Sequence, residues 1–248
     1  AKWIEQSQEQ TARELGYRVV EPSTAIAIRF GEILREHAGE LLTRQHVHEL
    51  IDRQKSRSPR TIEELVPRVL SPGLIHQVLK HLLRERVPIR DLETILQVMS
   101  DGVSRSVSAS ELAETVRIAL GGLICQQYRG ATLALHAIVF SPEVEQQLAE
   151  SIRERDDVPL LQLSELQTHD LLARLEDECD RMIAGGHQPV VLCGGRLRAA
   201  LKLLTERKLP RLAVLSRQEI TRETRVELFV ELDQLVSEPT AYWNTATA

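Results

Sequence analysis

The 248 residues are 42% hydrophobic and 27% charged, with a formal net charge of -5. That balance excludes disordered, collagen-like and repetitive chains, and no apolar run reaches the roughly 18 residues that would mark a bilayer span. Aromatic residues make up only 3%, so an aliphatic, mainly helical core is expected, and the dispersed basic residues leave no nucleic-acid footprint.

The first ten residues turn polar after four, which predicts no secretory signal. Residues 5–15 predict a short helix closed by Gly16, and Tyr17-Arg-Val-Val20 a brief β-branched strand. A long helix is expected from Pro22-Ser-Thr24, with Ile26, Phe30, Ile33, Leu34, His37 and Leu41 on one buried face. Val47, Leu50 and Ile51 mark a second helix. Ser56-Arg-Ser-Pro59 breaks the pattern, and Ile62, Leu65, Val66, Val69 and Leu70 resume it. Ser71-Pro72 combines an N-cap with a proline in the first turn, opening a helix faced by Leu74, Ile75, Val78, Leu79, Leu82 and Leu83. After Val87-Pro88-Ile89, Asp91 is expected to cap a helix bearing Leu92, Ile95, Leu96, Val98 and Met99 and ending at Gly102.

Residues 104–110 read as a Ser-rich loop. Ser108-Ala-Ser-Glu111 has capping-box spacing for one helix carrying Leu112, Val116, Ala119, Leu120, Leu123 and Ile124. The short β-branched run 132–140 predicts a strand, and Ser141-Pro142 repeats the cap for a helix through Val144, Leu148 and Ile152. The charged segment 153–159 is the expected domain boundary. Beyond it come a helix from Ser164 to about Ala184 ending at Gly185-Gly186, a strand over 189–193, a turn at Gly194-Gly195 and a helix to about Lys208. A strand over 211–215 and an alternating one with Val226, Leu228, Val230 and Leu232 complete the series. Strand, crossover helix and strand imply a right-handed parallel βαβ unit. Residues 237–248 lack periodicity and read as a flexible tail despite Tyr242 and Trp243. The expected fold class is mixed α/β, predominantly helical, in several small subdomains with an α/β subdomain last.

Few residues suggest chemistry. Cys193-Gly194-Gly195-Arg196 falls at a strand-to-helix turn, where backbone N–H groups and Arg196 could hold an anion, but the further glycines or Gly-Lys-Ser/Thr of a phosphate loop are absent. A tight glycine turn is the simpler reading. His46-Val-His48 places two histidines on different helical faces, the zincin spacing fails at Asp52, and His76 and His81 are five apart, so no metal site is expected. Cys125, Cys179 and Cys193, odd in number and widely spaced, suit free core thiols in a reducing cytosol. Basic runs such as Arg53-Gln-Lys55-Ser-Arg57 and Arg84-Glu-Arg86 read as solvated helix ends.

One stretch is more specific. Val87-Pro-Ile-Arg-Asp-Leu-Glu-Thr-Ile-Leu-Gln97, after Gln77-Val-Leu-Lys-His-Leu-Leu-Arg84, closely resembles the cytoplasmic C-terminal domain of the flagellar and type III secretion export-gate family (FlhA/SctV type). The likeness runs from Trp3 to about Leu235. It is carried also by Gly16-Tyr-Arg-Val-Val-Glu-Pro22, His37-Ala-Gly-Glu-Leu-Leu-Thr-Arg-Gln45, Glu64-Leu-Val-Pro67, Val116-Arg-Ile-Ala-Leu120, Pro189-Val-Val-Leu192 and Leu209-Pro-Arg-Leu-Ala-Val-Leu-Ser216. The Arg44-Gln45 and Glu-Leu-Val-Pro forms favour the flagellar branch over the injectisome branch.

The resemblance implies a non-enzymatic docking platform for export chaperones with bound substrates, without cofactor or metal. It also implies contacts with the gate and the ATPase complex and a homo-oligomeric ring, a nonamer. The location would be the cytoplasmic face of the bacterial inner membrane, with membrane contact only through an upstream domain. Residues 1–22 with 67–86 would be part of subdomain 1, 23–66 an inserted helical subdomain 2, 87–155 subdomain 3 and 160–236 the α/β subdomain 4. The family's chaperone dimple maps to Gly39, Glu40 and Leu42, to apolar Val66 and Leu70, and to Gly73. Its acidic anchor falls at about Gly39 with Glu40 adjacent, its aromatic at Leu42 and its Thr at Gly73, so all three anchors differ here. Other readings are a small-molecule or nucleotide-binding enzyme built on Cys193-Gly194-Gly195, and a ring component that contacts only itself.

Overall fold

The computed structural model describes residues 3–17, 19–103, 108–130, 133–155 and 158–235. After a short 3-10 turn at Gln6–Gln8, helices α1 (Glu9–Glu14), α2 (Pro22–Glu36), α3 (Ala38–Leu41), α4 (Arg44–Arg57), α5 (Pro59–Leu65), α6 (Pro72–Arg84), α7 (Leu92–Val103), α8 (Ala109–Ala119) and α9 (Gly121–Tyr128) follow one another. Strands and helices then mix: β1 (Ala134–Phe140), α10 (Pro142–Glu150), β2 (Ile152–Arg155), β3 (Val158–Leu161), α11 (Glu165–Ala184), β4 (Val190–Cys193), α12 (Gly195–Thr205), β5 (Ala213–Ser216) and β6 (Arg225–Leu232). The chain is mixed α/β and mostly helical, as expected.

The helix starts are chemically legible. The hydroxyls of Ser71, Ser108, Ser141 and Ser164 accept hydrogen bonds from the backbone N–H three residues on, at 3.2–3.3 Å. Asp91 accepts from Thr94 N–H at 3.3 Å. Each satisfies one of the N–H groups that a first turn leaves without a partner.

Four parallel strands form one sheet in the order β5-β4-β1-β6. Strand β4 is buried along its whole length, Val190, Val191, Leu192 and Cys193, which is why its sequence is continuously apolar instead of alternating. The sheet divides two cores. Leu135, Ala137, Val190, Leu192, Ala213 and Leu215 face the helical cluster of α4 to α9. Ile138, Phe140, Val191, Cys193 and Val214 face α10, α11 and α12. Because β1 precedes residues 153–159 and the other three strands follow them, the sheet draws on both sides of that segment.

Several expectations are corrected. The apolar face of α2 is not buried: Ile26 is 64% and Phe30 60% exposed, Ile33, Leu34 and Leu41 are also exposed, and α2 contains no buried residue. Helical spacing fixes which side chains share a face, whereas burial depends on what covers them. Residues 17, 19 and 20 form no strand, since no neighbouring strand pairs with them, and Arg18 lies outside the described residues. The helix through Ile62 stops at Leu65, because Val66 before Pro67 is extended (φ -121°, ψ 127°). The helix from Ser108 breaks at Leu120. There Gly121 lets α9 approach the Glu219 carbonyl so closely that a Cβ would lie 2.2 Å from its oxygen. Ile152 belongs not to α10 but to an antiparallel hairpin, β2 with β3, that pairs Ile152 with Leu161 and Arg155 with Val158. Charged residues on this exposed ribbon conceal its strands from hydrophobic patterning. Helix α12 ends at Thr205, and the expected loop at 104–107 and tail at 237–248 lie outside the described residues.

Candidate docking site and the charge network beneath it

The six dimple positions are arranged along α6. Gly39, on α3, is buried against the C-terminal half of that helix, where a Cβ would fall 2.9 Å from Arg84 Cγ and 3.1 Å from the Lys80 carbonyl oxygen. Glu40 is exposed on the outer side of α3, 3.1 Å from His37 Nδ1. Leu42 is half-buried against the helical core, and its carbonyl accepts a 2.8 Å hydrogen bond from His76 Nε2. Since a carbonyl only accepts, His76 carries its proton on Nε2, and the bond ties the segment after α3 to the middle of α6.

Val66 is half-buried and Leu70 fully buried in the same apolar cluster, just before α6. Gly73, in the first turn of α6, has open space around it, the nearest atom to a Cβ being Ser71 Oγ at 3.9 Å. Leu42, Val66 and Leu70 are thus brought into one cluster. Gly39 and Gly73 are separated by most of α6, about 16 Å at 1.5 Å per residue. Leu70 is part of the core wall, so a partner at this surface would meet Leu42, Val66, Glu40 and Gly73.

The Gly194 turn has its own internal anion. Gly194 N–H donates to Glu145 Oε1 at 2.8 Å, and Arg217 clamps the same carboxylate with two hydrogen bonds of 2.7 and 2.6 Å. The helix N-terminus that could have bound phosphate is therefore neutralised from within. Arg196 is exposed beside it. Burial, with help from Glu145, pushes the Cys193 thiol up to about 12, and burial pushes Cys179 up to about 11, so both are inert thiols at neutral pH. Cys125 is buried as well. His46 takes part in the N-cap of α4, His48 is exposed, and burial together with Arg84 lowers the pKa of His81. Among the described residues no group of three His, Cys, Asp or Glu side chains could hold a metal ion.

Sequence reasoning missed a buried charge network. Arg198 on α12 is 2% exposed. It donates to both oxygens of Glu85, at 2.5 and 3.0 Å, and to both of Glu114, through Nε at 2.5 Å and through Nη2. Arg117 on α8 donates to Glu219 at 2.6 Å, to Glu85 at 3.1 Å and to the Val214 carbonyl at 3.4 Å. Burial alone would raise the Glu85 carboxyl, but Arg117 and Arg198 outweigh it and hold the group at about 2. Glu114 moves the other way, raised by burial and by the neighbouring Glu85 charge in spite of Arg198. Glu85 is the carboxylate between two guanidinium groups, so it takes the larger share of their field. The Arg84-Glu-Arg86 run is accordingly no simple solvated helix end: its two arginines are partly exposed while Glu85 turns inward. A local sequence window cannot show this, because Glu85 meets its partners 32 and 113 residues away.

Residues 1–225 match the FHIPEP family. The chain belongs to that family. Among relatives, it is 33% identical over 228 residues to the flagellar biosynthesis protein FlhA of Escherichia coli K12, an alignment covering 92% of this chain and 32% of that protein. The chain thus spans about a third of the length of the curated relatives it matches. Among solved structures, the nonameric EPEC SctV-C has a TM-score of 0.80 at 25% identity, covering 92% of this chain and 68% of that one. The Chlamydia pneumoniae CdsV and CdsO complex has a TM-score of 0.77 at 23% identity, covering 92% and 67%, and shows the shared fold. The resemblance read from the 87–97 stretch is thus the family assignment itself.

Proposed function

We propose that this FHIPEP chain is part of the cytosolic docking platform of a type III protein export gate, of the flagellar branch, receiving export chaperones with bound substrates. Membership in the family over residues 1–225 carries the reading. The higher identity to FlhA, 33%, than to SctV-C, 25%, supports the flagellar branch. A nonameric relative supports assembly as a ring, and the CdsV and CdsO complex supports contact with other export components. The subdomain division at residues 23, 67, 87 and 160 belongs to the same proposal. In it the partner's apolar side chains rest on Leu42 and Val66, with Glu40 and Gly73 at the rim. Recognition is by an apolar surface, without catalysis, in the manner of a helix or extended peptide laid against a groove.

The decisive experiment titrates this chain with a cognate flagellar chaperone–substrate complex in a calorimeter, with and without Leu42→Asp. Thermal melting confirms that the variant folds. Affinity should fall at least about tenfold, the loss of 1.4 kcal/mol or more expected at a buried apolar anchor. Unchanged affinity in a folded variant removes the dimple assignment. The nucleotide alternative is disfavoured by the Glu145 carboxylate already seated on Gly194 N–H.

A further inference from the structure

A cleft of about 760 Å³ opens between α2, the C-terminal end of α6 and the edge of the sheet where β4 and β5 begin; Leu42, Val66 and Gly73 do not line it. Its walls carry seven basic side chains and three carboxylates, in a chain whose overall charge is -5. Part of that excess is answered internally: Arg29 pairs with Glu32 at 3.1 Å, Arg86 with Glu36 at 3.3 Å and Arg84 with Glu206 at 3.4 Å, while Arg117 belongs to the buried network.

Three cations remain, each from a different element. Arg35 on α2, Lys202 on α12 and Arg211 before β5 make no ion pair among the described residues. Lys202 is half-buried and its ammonium donates, among the described residues, to the Leu212 carbonyl at 2.8 Å. Burial lowers its pKa in spite of the nearby Glu85 charge, and Arg198 and Arg117 add to the lowering. An incoming carboxylate would form the direct ion pair this ammonium lacks and recover part of the cost of holding it out of water. Beside the cations, exposed apolar surface comes from Ile183, 41% exposed, and Pro210, whereas Val87 and Leu212 are core residues that only back the wall.

We infer that this cleft is a second docking site, taking an acidic, amphipathic peptide segment of a partner protein. Its carboxylates rest on Arg35, Lys202 and Arg211, and its apolar side chains on Ile183 and Pro210. Charge complementarity selects the occupant. The volume of about 760 Å³ is far more than one phosphate fills and suits a peptide segment of several side chains. Exposed Ile183 and Pro210 beside the cations suit a segment that mixes acidic and apolar side chains. Such contacts would speed association and fix register, with strong dependence on salt.

The test is fluorescence anisotropy with a panel of labelled twelve-residue peptides that combine Glu and Leu at different spacings, beside the same panel with Lys for Glu. The acidic panel should contain binders at least about tenfold tighter than any basic counterpart, weakening as salt is raised. Arg35→Glu with Arg211→Glu should cost at least about tenfold, and Lys202→Met should weaken binding without lowering the melting temperature. Arg68→Glu with Arg222→Glu, exposed arginines outside the cleft, changes the net charge equally and should leave affinity within about twofold. The inference is overturned if no acidic peptide binds more tightly than about 1 mM. Equal weakening by the control pair also overturns it. So does a homodimer seen by light scattering that dissociates on charge reversal at Arg35 and Arg211, which would give the cleft to a second copy. Failure here leaves the chaperone reading intact, because Leu42→Asp tests a different surface.

Discussion

A β-carbon on residue 39 would lie 2.9 Å from Arg84 Cγ and 3.1 Å from the Lys80 carbonyl, and the second contact is backbone that cannot swing aside. Glycine is what lets α3 sit on α6 at that distance. Gly39→Asp, which would put a carboxylate at the proposed acidic position, therefore prises α3 from its seat and buries that carboxylate beside a carbonyl oxygen. Urea denaturation should show a loss of about 2–3 kcal/mol; wild-type stability would mean that α3 yields easily. Gly73→Thr is the contrasting case. With 3.9 Å to the nearest atom and ordinary helical backbone, it should be neutral or stabilising by a few tenths of a kcal/mol. The two proposed anchor positions thus differ in what they could hold, residue 39 having no room for a side chain and residue 73 having open space. The capping residues Ser71, Asp91, Ser108, Ser141 and Ser164 were legible because a cap is a contact between neighbours three residues apart. Gly39 and Gly121 gave no such signal, since what they accommodate lies at Lys80, Arg84 and Glu219.

At the scale of elements, the same locality separates what patterning reveals from what it hides. The strand–helix–strand order of β4, α12 and β5 follows from a continuous apolar run, a glycine turn and a second apolar run, and the three elements lie where expected. The β2–β3 hairpin was invisible because Arg153, Glu154 and Arg155 face solvent. Helix α2 is the opposite failure: strong helical spacing with no burial. Replacing Ile26 and Phe30 together by Gln should consequently change the unfolding free energy by less than about 0.5 kcal/mol. The double variant should also elute earlier from a hydrophobic-interaction column, because the removed surface is exposed. A loss of about 3 kcal/mol, the cost of truncating a buried aromatic, would show that this face is covered in solution.

Across the whole molecule, the sheet separates two apolar cores that share few side chains, and the Glu85 network is the polar link between them. Arg198 comes from the α12 side and Glu85 and Glu114 from the helical side, so the three groups hold α6, α8 and α12 in one arrangement. The link should be visible in acid. Glu85 titrates at about 2 in the folded chain against an ordinary value of 4.5, so it binds its proton less readily when folded than when unfolded. Its stabilisation is complete above pH 4.5 and disappears as the pH falls toward 2. Glu114, shifted upward, is protonated earlier in the folded chain, and its effect runs the other way, offsetting part of that loss. In Glu85→Gln the steep acid loss should flatten between pH 4.5 and 2. At pH 7 stability should be lower by about 3 kcal/mol, because Arg117 and Arg198 remain buried with less negative charge around them. Relieved of its neighbour, Glu114 should also titrate at lower pH. Urea unfolding at pH 7, 5 and 3 measures both effects. A parallel pH dependence in wild type and variant would show that Glu85 does not control the acid response, and that the two cores are held together by their apolar contacts on the sheet.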